Sequence, residues 1–184
     1  LRGFKKKELV SFSKKLNFKA ITITVVGLIY VSMGLSLFFQ LRALMSESIF
    51  GDMGYAIPLL LIVSIWVNDT AAYLVGSFVG RTPLSSISPN KTWEGTIAGI
   101  ILTVILVTKV MGAYIPLNEK VIFLVSFVAS VAGTIGDLAE SKLKRLANVK
   151  DSGKMMPGHG GFLDRFDSIL LATPFVWLLI QILY

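Results

Sequence analysis

Apolar residues occur in long blocks separated by short polar stretches along this chain of 184 residues. A helix that crosses the hydrocarbon core of a membrane needs about 20 mostly apolar residues. Five blocks reach or approach that length, and we predict spans at about residues 20–39, 55–79, 94–112, 120–140 and 168–184. The pattern predicts an all-α fold, a polytopic integral membrane bundle of about five transmembrane helices that forms a single membrane-embedded domain over the whole chain.

Composition narrows the class of protein. Hydrophobic residues make up 54% of the chain, above the roughly 45–50% of soluble domains. The absence of cysteine excludes a disulfide framework and a thiolate metal site. A net charge of +7 could indicate nucleic-acid binding, but the basic residues collect in two clusters beside apolar spans. We therefore expect a lipid bilayer, and no nucleic acid, as a partner.

The two basic clusters predict the orientation in the membrane. Seven Lys and Arg residues lie in the head at 1–19 and six lie in the segment 141–167, whereas each loop between spans carries one or two. Five spans place both clusters on the same side, which the positive-inside rule makes cytoplasmic. We expect a multi-pass protein of the cell (inner) membrane with a cytoplasmic interfacial head, a cytoplasmic signature segment at 141–167 and a site that opens to the cytoplasm.

Carboxylates interrupt the apolar blocks at Asp69, Asp137 and Glu140. A charge inside a span costs about 2.5–3.5 kcal/mol on insertion scales, so such groups usually face a polar cavity. The spacing i, i+3, i+4, i+7 and i+8 predicts one polar stripe on a helix. The residues of that stripe are Asp137, Glu140, Ser141, Lys144 and Arg145.

Two further acids, Asp164 and Asp167, directly precede the last predicted span. Asp164 and Asp167 lie three residues apart, so they share a helix face, and with Asp137 they supply three carboxylates from two helices. Oxygen ligands of this kind suit Mg²⁺ that bridges the phosphates of a nucleotide. Gly160 and Gly161 allow the backbone to approach a phosphate closely.

Basic side chains near these acids are candidates for holding a triphosphate and a lipid phosphate: Lys144, Arg145, Lys150 and Arg165. If the lipid phosphate is the nucleophile, the reaction requires no nucleophilic side chain, and the chain has no convincing catalytic triad. The segment Ser88–Gly95 combines a proline-containing turn, a lysine and hydroxyls at the start of a span, which is a plausible anion site. We expect Ser88, Lys91 and Thr92 to complete the nucleotide pocket.

The segment from Ser141 to Asp167 resembles the signature of the CDP-diacylglycerol synthase (phosphatidate cytidylyltransferase) family. The run Asp69–Tyr73 with its following glycines, and the Ser88–Gly95 turn, are similar to the same family. The matching residues of the signature are Ser141, Lys144, Arg145, Lys150, Asp151, Pro157, His159, Gly160, Gly161, Asp164, Arg165 and Asp167.

This resemblance implies a dimeric membrane enzyme that uses Mg²⁺ to convert CTP and phosphatidic acid into CDP-diacylglycerol and pyrophosphate. It implies metal ligands at Asp137, Asp164 and Asp167, with a monovalent cation such as K⁺ beside the Mg²⁺. Predicted catalytic residues are Asp137, Lys144, Arg145, Lys150, Asp164 and Arg165. Predicted substrate-binding residues are Asp69, Ser88, Lys91, Thr92, Ser141, His159, Gly160 and Gly161.

Alternatives remain open. A CTP-dependent lipid alcohol kinase would transfer the γ-phosphate instead, a transporter would use its intramembrane acids as an ion pathway, and a non-catalytic subunit would do neither. Asp69 could join helices structurally, the other acids could form an ion-pair network, and His159 could bond to backbone carbonyls. Family members are usually longer, with further N-terminal spans, and the start at Leu1 suggests a piece of a longer protein.

Overall fold

A computed structural model describes residues 18–46, 53–149, 152–153, 161 and 163–184. Five helices in this part of the chain are long and apolar enough to cross a membrane, which confirms the predicted polytopic all-α fold. A 3₁₀ turn at Met53–Tyr55 precedes the second helix. In chain order the elements are α1 Phe18–Ser46, α2 Ala56–Val79, β1 Pro83–Ser85, β2 Ser88–Thr92, α3 Trp93–Tyr114, α4 Glu119–Leu146 and α5 Leu163–Leu183.

The helices extend beyond the predicted spans at the end that carries the acids. The prediction ended the fourth span at residue 140 and began the fifth at 168, whereas α4 continues to Leu146 and α5 begins at Leu163. A span predicted from hydropathy stops at the first charged residues. The helix itself can continue past them, because its backbone hydrogen bonds persist where the charged side chains are paired. Asp164 and Asp167 therefore lie within α5 itself.

A β-hairpin joins α2 to α3, where the sequence predicted only a proline-containing turn. Strands β1 and β2 pair antiparallel, with Pro83 opposite Thr92. The Glu94 carboxylate accepts hydrogen bonds from the backbone N–H of Thr82 at 3.2 Å, and the Trp93 N–H donates to the Thr82 carbonyl at 3.0 Å. The first turn of α3 thus fixes the base of the hairpin, although serine, proline and asparagine have little intrinsic preference for strands.

The buried core lies between α2, α4 and α5, with Ile57 and Leu61, Ile122 and Val125, and Val176 among its fully buried side chains. Helix α1 is mostly exposed, although its Leu41 is fully buried in the core. Its exposed face is apolar, as expected for a surface that contacts lipid.

Small residues bring two pairs of helices very close together. A Cβ atom added at Gly99 of α3 would lie 2.8 Å from the Cβ of Ala72 in α2. One added at Gly136 of α4 would lie 2.8 Å from the Asp167 carbonyl oxygen in α5. Close crossings of this kind are typical of membrane helices, whose association depends on packing. They hold the polar ends of α2, α3, α4 and α5 around a common cavity.

Candidate active site

A cavity of about 520 Å³ lies at the hairpin end of the bundle. It lies between the C-terminal half of α2, the hairpin, the start of α3, the C-terminal half of α4 and the start of α5. Alternating chain direction places the start of α1, the hairpin and the α4–α5 segment at this same end. The predicted site residues that line the cavity are Asp69, Ser88, Lys91, Thr92, Asp137, Asp164 and Asp167.

Three carboxylates from two helices form an acidic cluster in this region. Asp137 and Glu140 are one turn apart on α4, Asp167 lies on α5, and one oxygen of each lies within 4.8 Å of the others. Glu140 is 5% exposed and Asp167 is 9% exposed. Two of the three predicted metal ligands, Asp137 and Asp167, belong to this cluster. Its third member, Glu140, was predicted as an intramembrane acid but not as a metal ligand.

Asp164 lines the same cavity but makes a different set of contacts. Its Oδ1 accepts a hydrogen bond from the Lys144 ammonium at 2.7 Å. Its Oδ2 accepts from the backbone N–H of Ser152 at 2.9 Å, from the Ser152 hydroxyl at 2.8 Å and from the Gly161 N–H at 2.7 Å. These bonds tie the α4–α5 connection to the first turn of α5, so Asp164 shapes the site in addition to its predicted metal role.

Two lysines contact the acids directly. Lys144 is 18% exposed, and its Nζ lies 2.8 Å from Glu140 and 2.7 Å from Asp164. Lys91, on β2, forms an ion pair with Asp137. Burial lowers the pKa of Lys91, and the nearby carboxylates of Asp69 and Asp167 oppose that shift. Lys91 therefore connects the hairpin to the acidic cluster.

Among the residues that the structure describes, the cavity and the acidic cluster contain five carboxylates and have two ammonium groups in contact with them. The Glu140 Oε1 atom has no hydrogen-bond donor in the part of the chain that the structure describes. An oxygen-only ligand set with a buried, unsatisfied carboxylate oxygen fits a hard divalent cation such as Mg²⁺. The acidic cluster can therefore hold the metal that the sequence predicted.

Polar side chains extend the cavity toward the bilayer centre. Asn68 is 2% exposed, and its Nδ2 donates to the Thr134 hydroxyl at 3.1 Å. Thr134 donates in turn to the Ser130 carbonyl at 2.9 Å. Neither Asn68 nor Thr134 was among the predicted site residues, although the Asn68–Asp69 pair interrupts an apolar block and so could have indicated the first of them.

Five described residues of the predicted site do not line the cavity: Ser141, Lys144, Arg145, Gly161 and Arg165. Lys144 and Gly161 nevertheless contact Asp164, which does line it. Arg145 and Arg165 are exposed and Ser141 is half-buried. Arg145 lies eight residues after Asp137, so it is rotated about 80° from that acid on α4. Arg165 follows Asp164 directly, so it is turned about 100° away from that acid.

Two other predicted site residues, Gly161 and Thr92, make hydrogen bonds within the protein. Gly161 contributes its backbone N–H to Asp164. The Thr92 hydroxyl accepts from the Gly95 N–H at 3.2 Å and so caps α3. Lys150, His159 and Gly160 lie outside the described residues, and their roles stay predictions.

Comparison with known proteins gives one consistent result. The model of the cytidylyltransferase family matches residues 6–183. A phosphatidate cytidylyltransferase of Bacillus subtilis is 38% identical over 167 residues, which cover 90% of this chain and 60% of that protein. Phosphatidate cytidylyltransferases of Staphylococcus epidermidis and Staphylococcus haemolyticus are 38% and 37% identical over 169 residues, 90% of this chain and 61% of each relative. The chain thus spans about 60% of the length of these curated relatives.

Proposed function

This chain belongs to the cytidylyltransferase family, and we propose that it transfers a cytidylyl group from CTP to phosphatidic acid. The observation that carries the proposal is the acidic cluster of Asp137, Glu140 and Asp167, which two lysines contact and which borders the cavity at one end of a membrane bundle. A water-soluble triphosphate and a membrane lipid can both reach a site at such an end. The names of the relatives agree with these substrates.

In the proposed reaction, a phosphate oxygen of phosphatidic acid attacks the α-phosphorus of CTP. A new P–O bond forms, the bond from the α-phosphorus to the oxygen that bridges to the β-phosphorus breaks, and pyrophosphate leaves. The products are CDP-diacylglycerol and pyrophosphate. Because both reactants are anions, most of the catalytic effect must come from positioning and from neutralising phosphate charge.

We propose that Asp137, Glu140 and Asp167 hold Mg²⁺, with Asp164 beside them. When bound, Mg²⁺ neutralises phosphate charge and the charge that develops on the departing pyrophosphate. The donor chemistry supports this assignment, since all the candidate ligands are carboxylate oxygens. A monovalent cation such as K⁺ beside the Mg²⁺ stays a prediction.

The two lysines have different proposed roles. Lys91 lies on the hairpin at the cavity wall, so it can exchange its contact with Asp137 for a nucleotide phosphate. Lys144 is held between Glu140 and Asp164, so it orients those carboxylates and balances their charge. Removal of Lys144 would leave buried acids without their counter-charge, which is costly in a low-dielectric setting.

We propose that the cavity opens to the cytoplasmic side of the cell membrane, where CTP is found. The basic residues of segments 1–19 and 141–167 support this orientation, because α1 begins and α4 ends at the cavity end of the bundle. A homodimer is the assembly that the family resemblance implies, and it stays a prediction.

The test compares CTP labelled at the α-phosphate with CTP labelled at the γ-phosphate, in liposomes containing phosphatidic acid and Mg²⁺. Cytidylyl transfer predicts that α-label enters the lipid fraction and that γ-label is released as pyrophosphate in equal amount. Transfer of γ-label to a lipid alcohol would instead identify a lipid kinase. Absence of both transfers would contradict the proposed activity of this chain.

A further inference from the structure

A second cavity, of about 410 Å³, lies where α3 ends and α4 begins. Its lining residues are Thr108, Glu119, Lys120, Phe123 and Leu124. Lys120 and Asp137 are separated by most of α4, about 25 Å at 1.5 Å per residue. The second cavity therefore lies at the membrane face opposite the acidic cluster and has no part in the proposed transfer.

The lining groups lie at different depths in the membrane. Lys120 is in the first turn of α4, and the exposed Tyr114 at the end of α3 marks the level of the membrane interface. Phe123 lies three residues after Lys120, about 4.5 Å along α4, is 48% exposed and offers an apolar surface. Thr108 lies six residues before the end of α3, about 9 Å from the level of the interface. The cavity therefore presents a cation at the interface, an apolar surface below it and a hydroxyl deeper still.

The hydroxyl of Thr108 supplies independent support for a ligand. Thr108 is 7% exposed, and its Oγ1 has no hydrogen-bond partner among the described residues. Thr70 and Thr173 bond to the carbonyl four residues earlier, at 2.8 Å and 2.7 Å. Thr103 of α3 also lacks a partner among the described residues, but it lines neither cavity, whereas Thr108 lines the second one. A buried hydroxyl without a partner is unfavourable, so a ligand that accepts its hydrogen bond stabilises the site.

Charge favours an anionic ligand in this cavity. Glu119 is already paired with Lys109, whose Nζ lies 2.8 Å from Oε1. Lys120 makes no ion pair with any residue that the structure describes. The cavity therefore combines an uncompensated ammonium group at the interface with an apolar wall below it.

We propose that this cavity binds an anionic phospholipid of the leaflet opposite the acidic cluster. The Lys120 ammonium pairs with the lipid phosphate, Phe123 and Leu124 contact apolar groups of the lipid below it, and the Thr108 hydroxyl donates to an acyl ester carbonyl. This site does not depend on the proposed cytidylyl transfer, and binding to it is measured without any turnover.

Native mass spectrometry of the purified protein with phosphatidylglycerol tests the site through two variants. Lys120→Gln should lower phosphatidylglycerol affinity roughly fivefold, the effect of about one basic residue at a membrane surface. It should lower phosphatidylcholine affinity less, because the choline cation offsets the phosphate charge. Lys142→Gln, an exposed lysine at the other end of α4, is the matched control and should have no effect at this site. Equal phosphatidylglycerol binding by Lys120→Gln and wild type would overturn the proposal.

The second variant tests the ester contact. Wild type should bind diester phosphatidylglycerol roughly threefold more tightly than its diether analogue, which lacks the carbonyl acceptors. Thr108→Val keeps the shape and apolar character of the side chain while it removes the hydroxyl, so the protein should fold and the preference for diester lipid should vanish. A preference that persists in Thr108→Val, or one that is absent from wild type, would refute the assigned role of Thr108.

Discussion

Substituting Gly136 with alanine tests whether the close crossing of α4 and α5 builds the metal site. Gly136 precedes Asp137, and an added Cβ would lie 2.8 Å from the Asp167 carbonyl oxygen and 3.0 Å from the Cβ of Leu171. Ordinary van der Waals contact begins near 3.4 Å, so the helices must separate by several tenths of an ångström. The obstructing oxygen belongs to the backbone, and it cannot turn aside as a flexible side chain would.

The expected effect is larger on metal binding than on stability. Overpacking of this kind costs about 1–3 kcal/mol, and alanine in place of glycine in a helix returns up to about 1 kcal/mol. Metal–ligand distances, by contrast, tolerate only about 0.2 Å. The separation would move Asp137 and Glu140 away from Asp167, and we expect a 10–100-fold loss of divalent-metal affinity, as for other disturbances of a ligand shell.

The assay is Mn²⁺ binding by electron paramagnetic resonance, with thermal unfolding followed in parallel. Gly112→Ala is the matched control, because a Cβ there would lie 3.7 Å from the nearest atom, the Cδ1 of Ile122. That variant should keep wild-type Mn²⁺ affinity. Unchanged Mn²⁺ affinity in a folded Gly136→Ala protein would refute the reasoning that this crossing sets the spacing of the acidic cluster.

Three further predictions concern the charged groups. Glu140→Gln should abolish most Mn²⁺ binding. Glu119→Gln alters an exposed acid and should not weaken that binding. Equal Mn²⁺ binding by both variants would exclude Glu140 as a ligand. Lys91→Met removes the cation that pairs with Asp137, so Mn²⁺ affinity should rise a few-fold while the KM for CTP increases. Lys109→Met is the control and should change neither value. A fall in Mn²⁺ affinity in Lys91→Met would contradict the competition between Lys91 and the metal for Asp137. Burial lowers the pKa of Lys91, so its charged form is lost at a lower pH than that of an ordinary lysine. The KM for CTP should therefore rise with pH before the ordinary lysine range, and Lys91→Arg should move that rise to higher pH; identical pH profiles would contradict the role of Lys91.

The helices could be predicted from the sequence because each apolar block is long enough to form a span without any knowledge of its neighbours. The hairpin could not, since Ser88–Thr92 has weak strand propensity and pairs with β1 only where Glu94 and Trp93 fix its base. The Glu94 side chain and the Trp93 backbone N–H, both in the first turn of α3, make these contacts. The strand propensities of residues 88–92 contain no information about them.

The site was predicted in outline, and its details depended on how the helices cross. Spacing identified Asp137 and Asp167, but the position of Glu140 beside them follows from the contact of Gly136 with α5. Arg145 does not line the cavity, because it is rotated about 80° from Asp137 on α4, and its contact with a phosphate stays a prediction. Which carboxylate pairs with which lysine is likewise a property of helix packing.

Cytidylyl transfer at the acidic cluster is tested most directly by the initial rate of α-label transfer from CTP to phosphatidic acid in liposomes with Mg²⁺. Wild type and Glu119→Gln should transfer label at similar rates, and Asp137→Asn should lose at least about 100-fold. Proper insertion of Asp137→Asn is checked by its unfolding temperature. Transfer at an undiminished rate in a folded Asp137→Asn protein would contradict the assignment of the reaction to this cavity.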